Sequence, residues 1–215
     1  MKPRYISLDE MEIITEKILH DYGFHVTDQA MRVPIEEIIE FHYDLNILWE
    51  KIDNFDPHGL VMAAIIPSER RIIMNETHRD LFEDKIGTMN FTFAHELGHW
   101  VLHANEDEGQ VALDITDSKV FYCRSVSKKP PIEFQADQFA GCLLMPRKAV
   151  NAEIARMKSD GEIRFKQLYD LAERFGVSIS ALCVRLEKAN LLFIDPKGSI
   201  HNSREEYHGQ LTLDL

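Results

Sequence analysis

The stretch Phe93-Ala94-His95-Glu96-Leu97-Gly98-His99-Trp100 decides how this chain is read. On a helix, side chains four positions apart stack along one face, so His95 and His99 project together about a turn apart. Two neutral imidazole nitrogens at that separation suit a tetrahedral zinc ion. Glu96 stands beside the first of them and can lean over an open metal position. This is the H-E-x-x-H arrangement, in which the Glu is a general base. Phe91, Phe93, Ala94, Leu97, Val101 and Leu102 would bury the remainder of the helix and make it a rigid platform. Alone, the pentapeptide is not decisive. With ten His among 215 residues, it arises in about 4% of shuffled sequences. The competing reading is a buried amphipathic helix whose two imidazoles are merely hydrogen-bonded.

A peptidase zinc needs a third protein ligand and one open position. Glu133-Phe134-Gln135-Ala136-Asp137 offers it. Glu133 and Asp137 are also four apart. Glu133 can ligate the metal, and Asp137 can accept a hydrogen bond from the far nitrogen of a ligand His and fix its tautomer. Ala136 keeps this helix slim where the two would meet. The face that follows, Phe139, Ala140, Leu143 and Leu144, must be buried. An oxyanion needs a further donor. His103, Tyr122, Arg124 and His78 are candidates, and His103, one turn past His99, is best placed; it equally suits a contact supporting the ligands or a helix C-terminal cap. His20, His25, His42, His58, His201 and His208 show no ligand spacing and read as surface or satisfied core positions.

On these motifs the chain resembles the ImmA/IrrE family of metallopeptidases. The resemblance runs through Asn90-Phe91-Thr92-Phe93-Ala94-His95-Glu96-Leu97-Gly98-His99 and His103. It continues through Glu133, Ala136, Phe139-Ala140 and Leu143-Leu144-Met145-Pro146, a string far more restrictive than H-E-x-x-H. Ile72-Ile73-Met74-Asn75, Val177-Ser178 and Arg185-Leu186 also look like the family, so it covers roughly 35–192. The resemblance implies that His95, His99 and Glu133 bind Zn2+ and that Glu96 is catalytic. Asp137 stands where relatives often have Asn, and either can accept the supporting bond. It further implies regulatory proteolysis: a zinc endopeptidase that cleaves or inactivates a helix-turn-helix transcriptional repressor. The rival reading is a non-catalytic anti-repressor or toxin–antitoxin interaction module with a structural zinc; an intact Glu96 favours the enzyme.

The rest of the chain reads as α+β. Helices are expected over Leu8 to Tyr22, from Pro34 to His42, and from Leu81 or Asp84 to Ala104. Others are expected from Ile132 to about Met145 and over 147–157, 165–175 and 178–190. Ile47 to Trp49 suggests a short strand. Gly59 to Ile66 and Arg71 to Met74 form a hairpin pattern across Pro67-Ser68-Glu69-Arg70. Lys119 to Ser125 suits an edge strand, and Asn105 to Gln110 a solvated loop. Asp195-Pro196-Lys197-Gly198 is a turn, and the last dozen residues are expected to be loosely ordered. The expected architecture is a helix-rich, gluzincin-like zincin core with a small sheet over 1–146. A helical segment at 147–192 packs on it, followed by a turn and tail at 193–215.

Leu168, Leu171, Ala172 and Phe175, then Gly176-Val177-Ser178, then Ile179, Leu182 and Leu186, resemble a helix-turn-helix. The would-be recognition helix opens Ser178-Ile179-Ser180-Ala181-Leu182, without the Arg, Lys, Asn or Gln that read base edges. With 24 basic against 36 acidic side chains the chain carries −12, which repels phosphate. Direct DNA binding is therefore not expected; a helical pair packed behind the Leu-Leu-Met-Pro helix, or docking a protein, is. The N-terminus lacks an apolar signal region and the longest apolar run is too short to span a bilayer. Cys123, Cys142 and Cys183 are widely spaced and odd in number, which suits reduced thiols and a cytoplasmic protein.

Overall fold

The computed structural model describes residues 4–52, 61–104, 121–124 and 130–213, with backbone alone for 121–124 and 210–213. The expected loop Asn105–Gln110 and His58 lie outside the described residues.

Helix α1 (Leu8–Tyr22) opens on Ser7, whose hydroxyl accepts from the Glu10 N–H, and stops at Gly23 in the left-handed conformation. Helix α2 (Ile35–Glu37) is a single turn that continues as a π-helical turn over Ile38–His42. Strands β1 (Asn46–Glu50), β2 (Val61–Ile66), β3 (Arg71–Asn75) and β4 (Phe121–Arg124) form one sheet in the order β1-β3-β2-β4. The expected hairpin is β2–β3, antiparallel with Ala64 opposite Ile73. Strand β1 runs parallel to β3, with Ile47 opposite Ile72, and β4 is an antiparallel edge beside β2. The two central strands are largely buried on both faces, which is why their apolar runs are nearly unbroken. Arg70 turns the hairpin in the left-handed region (φ 50°). Its guanidinium donates to the carbonyls of Tyr43 at 2.6 Å and Asp44 at 3.0 Å, and lies over the Trp100 ring.

One expected helix is broken. The segment read as continuous to Ala104 is α3 (Arg79–Asp84), a kink at Lys85 (φ −129°, ψ 70°), α4 (Ile86–His99) and a π-helical turn over Trp100–Ala104. The cause is tertiary. A side chain at Gly87 would stand 2.4 Å from the Val177 carbonyl carbon, so α4 begins where its backbone must press against another segment.

Helices α5 (Pro131–Leu144), α6 (Arg147–Ser159), α7 (Phe165–Phe175) and α8 (Ile179–Lys188) follow the expected pattern within one or two residues. Gly176 is left-handed and the Ser178 hydroxyl caps α8 by accepting from the Ala181 N–H. The C-terminal stretch departs from expectation. Strands β5 (Phe193–Ile194) and β6 (Ile200–His201) pair, and α9 (Arg204–Leu213) follows. Asp195 Oδ1 accepts from the N–H groups of Lys197 and Ser199 and closes the turn, and Tyr207 packs its ring 5.3 Å from that of Phe193. Short-range contacts of this kind leave little hydropathic period to read.

One continuous apolar core runs from Met11 of α1 to Leu192 beyond α8, with Phe82, Phe93, Phe139 and Phe175 fully buried. Inside it lies an ion pair. Arg185 of α8 is 3% exposed and Glu12 of α1 likewise. Their charged atoms are 2.6 Å apart, and Arg185 also donates twice to the Met145 carbonyl that ends α5. Beside them, burial pushes the Cys142 thiol up to about 12, so it is an inert core group. A buried pair adds little net stability, but removing one member strands the other. Arg185→Met is expected to cost about 3–5 kcal/mol. Urea denaturation checks this, with Glu12→Gln combined with Arg185→Met recovering part of the loss.

Candidate metal centre

Helices α4 and α5 pack against each other at close range, and two small residues permit it. A Cβ on Gly98 would sit 3.1 Å from Phe139 Cδ1 and 3.2 Å from Ala136 Cα. Glycine inside a helix costs about 1 kcal/mol relative to alanine, so its place in the middle of the H-E-x-x-H segment marks this contact. Ala136 is legible in the sequence as the slim position of α5, whereas Gly98 inside the motif carries no such signal until α5 is seen against it. On α4, Phe93, Ala94 and Leu97 face the core and are fully buried, and so are His95, Glu96 and His99. On α5, Glu133 lies in the first turn, where the helix dipole favours a negative charge.

The approach of the helices brings His95, His99 and Glu133 together. His95 Nε2 lies 3.1 Å from His99 Nε2 and 3.2 Å from Glu133 Oε2. His99 Nε2 lies 3.3 Å from Glu133 Oε1. Zinc bonds of about 2.0–2.1 Å in a tetrahedron place neighbouring ligand atoms about 3.3–3.4 Å apart. The two imidazole nitrogens and the Glu133 carboxylate, which turns a different oxygen to each ring, therefore lie at spacings close to those between zinc ligands. His95 Nδ1 is 3.0 Å from Asp137 Oδ1. With that nitrogen donating its N–H to the carboxylate, the neutral ring presents a lone pair at Nε2. Electron pairs of a carboxylate and of imidazole then converge in a buried place, an arrangement that could hold a metal ion.

The ionisation of these groups fits the same end. Burial lowers the pKa of His99 below its ordinary 6.5, against the opposing pull of Glu133. Burial would raise Glu133, but its contacts with His95 and His99 outweigh that and hold it at about 2. His99 is thus neutral and Glu133 ionised at neutral pH, the forms that bind a metal.

Of the sequence candidates, Asp137 reaches His95 as expected. His103 lies in the π-helical turn with its ring 5.7 Å from that of His99, and neither it nor His78 belongs to the triad. Tyr122 and Arg124 lie on β4, whose side chains are outside the described residues. His20, His25, His42 and His208 are exposed, and His201 contacts Asp195 at 3.3 Å.

The family model described as the IrrE N-terminal-like domain, a peptidase M78 domain, matches residues 55–187. The chain belongs to the IrrE-like peptidase family. The match contains both helices of the triad and the α7–α8 pair. No curated protein matches the chain by sequence. Among solved structures, a Mycobacterium tuberculosis transcriptional regulator is similar at a TM-score of 0.50 and 16% identity. The likeness covers 92% of this chain and 65% of that protein, and at this identity it speaks for the fold alone: an α+β, helix-rich architecture with a small sheet. Within the IrrE-like family, then, this chain carries a His-His-Glu group able to hold a metal.

Two outcomes are expected of this centre. Asp137→Ala should weaken zinc binding about 10–100-fold, read by competition with a chromophoric chelator. Acidification should release the metal by protonating imidazole. Because burial lowers His99, zinc should remain stoichiometric at pH 6.5, the ordinary histidine value, and be lost only beneath it. Zinc content after dialysis across the acid range checks this.

Proposed function

We propose that the chain is a zinc-dependent endopeptidase whose substrate is a protein, with regulatory proteolysis of a helix-turn-helix repressor as the specific role. The observation that carries the catalytic reading is the buried convergence of His95 Nε2, His99 Nε2 and the Glu133 carboxylate, with Glu96 next in sequence and equally buried. Three protein ligands leave the fourth position for water or substrate, as catalytic zinc sites require.

When bound, zinc supplies a Lewis acid that acidifies water and polarises the scissile carbonyl. The chain's own residues do the rest. Asp137 holds the His95 ring in one tautomer. Glu96 accepts the proton given up by the attacking water and delivers it to the departing amide nitrogen.

The repressor as substrate rests on the resemblance to the family. The helical pair argues for a packing role over DNA reading: Leu182, Arg185 and Leu186 of α8 are buried, and Ser180 and Val184 are its exposed residues, neither of them a side chain that reads base edges by bidentate hydrogen bonds. Among the described residues no helix is long and apolar enough to cross a membrane, and Cys142 and Cys183 are free thiols, which supports a cytoplasmic setting.

Glu96→Gln should retain one zinc per chain and lose at least about 100-fold in cleavage rate. Undiminished cleavage by this variant removes Glu96 from the mechanism. Incubation with the repressor encoded beside this gene, with and without chelator, tests the substrate. Specific cleavage lost on chelation supports the proposal, whereas a stoichiometric complex without cleavage favours an interaction module.

A further inference from the structure

Asn90 lies five residues before His95 on α4 and is fully buried. Its Nδ2 donates to the Gly176 carbonyl at 2.6 Å, and its Oδ1 accepts from Arg32 Nη2 at 3.1 Å. Gly176 is the left-handed residue between α7 and α8, at φ 67°. A Cβ there would stand 2.9 Å from Arg32 Cγ and 3.0 Å from Asn90 Nδ2. One turn earlier, Gly87 presses against Val177 and Ser178 of the same turn. Both groups of the Asn90 amide are thus committed to segments outside its own helix.

The same helical pair grips the other half of the metal site. Arg185 of α8 donates to the Met145 carbonyl at the end of α5, and α5 carries Glu133. The α7–α8 pair therefore holds α4 at one point and α5 at another. A helix is stiff along its axis, and about five residues, roughly 7–8 Å of rise, separate Asn90 from His95. A slip at Asn90 is transmitted to both imidazoles, while Glu133 stays with α5.

We propose that Asn90 is a positioning residue for the metal centre: by fastening α4 to the α7–α8 turn, it sets the offset of His95 and His99 against Glu133. The helix-turn-helix-like pair then serves as a brace for the site. This rests on the metal-site reading but not on the peptidase reading, since its test reads metal geometry in place of turnover.

The test uses the full chain. Zinc affinity is measured by competition with a chromophoric chelator, and the d–d absorption of the Co(II)-substituted protein reports ligand geometry. Asn90→Ala is expected to weaken zinc binding about tenfold and to shift or weaken the cobalt bands. Arg32→Ala, at an exposed side chain that leaves the core intact, removes only the Oδ1 contact and should weaken binding by a few-fold. Ile154→Ala on α6, which is 1% exposed, supplies a core-destabilised control and should leave affinity and spectrum unchanged. Wild-type affinity and bands in the Asn90 variant overturn the proposal, as does an equal loss in the Ile154 control. If Asn90→Ala does not fold, unchanged binding in Arg32→Ala overturns it and weakened binding supports it. Loss of cleavage with normal metal binding would bear on the peptidase reading alone.

Discussion

Three side chains able to ligate a metal, from two helices, meet in a buried place, and much of the structure follows from making that meeting possible. His95 and His99 share a face of α4 because they are four residues apart. Glu133 reaches them because Gly98 and Ala136 let α5 come close. Either helix without the other offers an incomplete ligand set. The closeness of the pair is more specific than the motif on either. A larger residue at Gly98 would push the helices apart and draw Glu133 away from the two imidazoles, whatever its effect on helix propensity.

Holding two helices in register to a few tenths of an ångström demands supports beyond their own contact. The sheet covers one side of α4, and Arg70 at the hairpin tip lies over Trp100 just past His99. On the other side the α7–α8 pair reaches α4 through Asn90 and Gly176, and reaches α5 through Arg185 and Met145. Glu12 of α1 neutralises that guanidinium in the core. Charged and polar groups buried in this way contribute little net stability, yet they accept only one arrangement. They sit at the junctions that place the His-His-Glu group, which is where a single arrangement matters.

How much of this the sequence disclosed follows from the range of the interactions. The helical faces of α4 and α5 were legible in spacing alone, because ligand pairs four apart use the same period as the apolar residues around them. Glu133 and Asp137 were legible for that reason, and Asp137 does meet His95. The hairpin was legible from its β-branched and apolar runs. The break at Lys85 was not, because it arises where Gly87 meets Val177, a contact between residues ninety positions apart. Nor were the π-helical turns after Glu37 and His99, which leave the apolar positions buried while changing the winding. Helix α9 has a weak apolar stripe, and its ordering rests on Tyr207 against the small β5–β6 hairpin. The role of Asn90 was hidden in a motif that drew attention to the histidines.

The chain is thus an IrrE-like family member whose two closely packed helices bring one buried His-His-Glu group together. X-ray absorption at the zinc edge of the metal-loaded protein tests the central claim most directly. The account predicts a four-coordinate ion with two imidazole nitrogens at about 2.0–2.1 Å, one carboxylate oxygen and one further oxygen from solvent. A sulfur shell near about 2.3 Å, or a coordination shell lacking the two imidazoles, would contradict it.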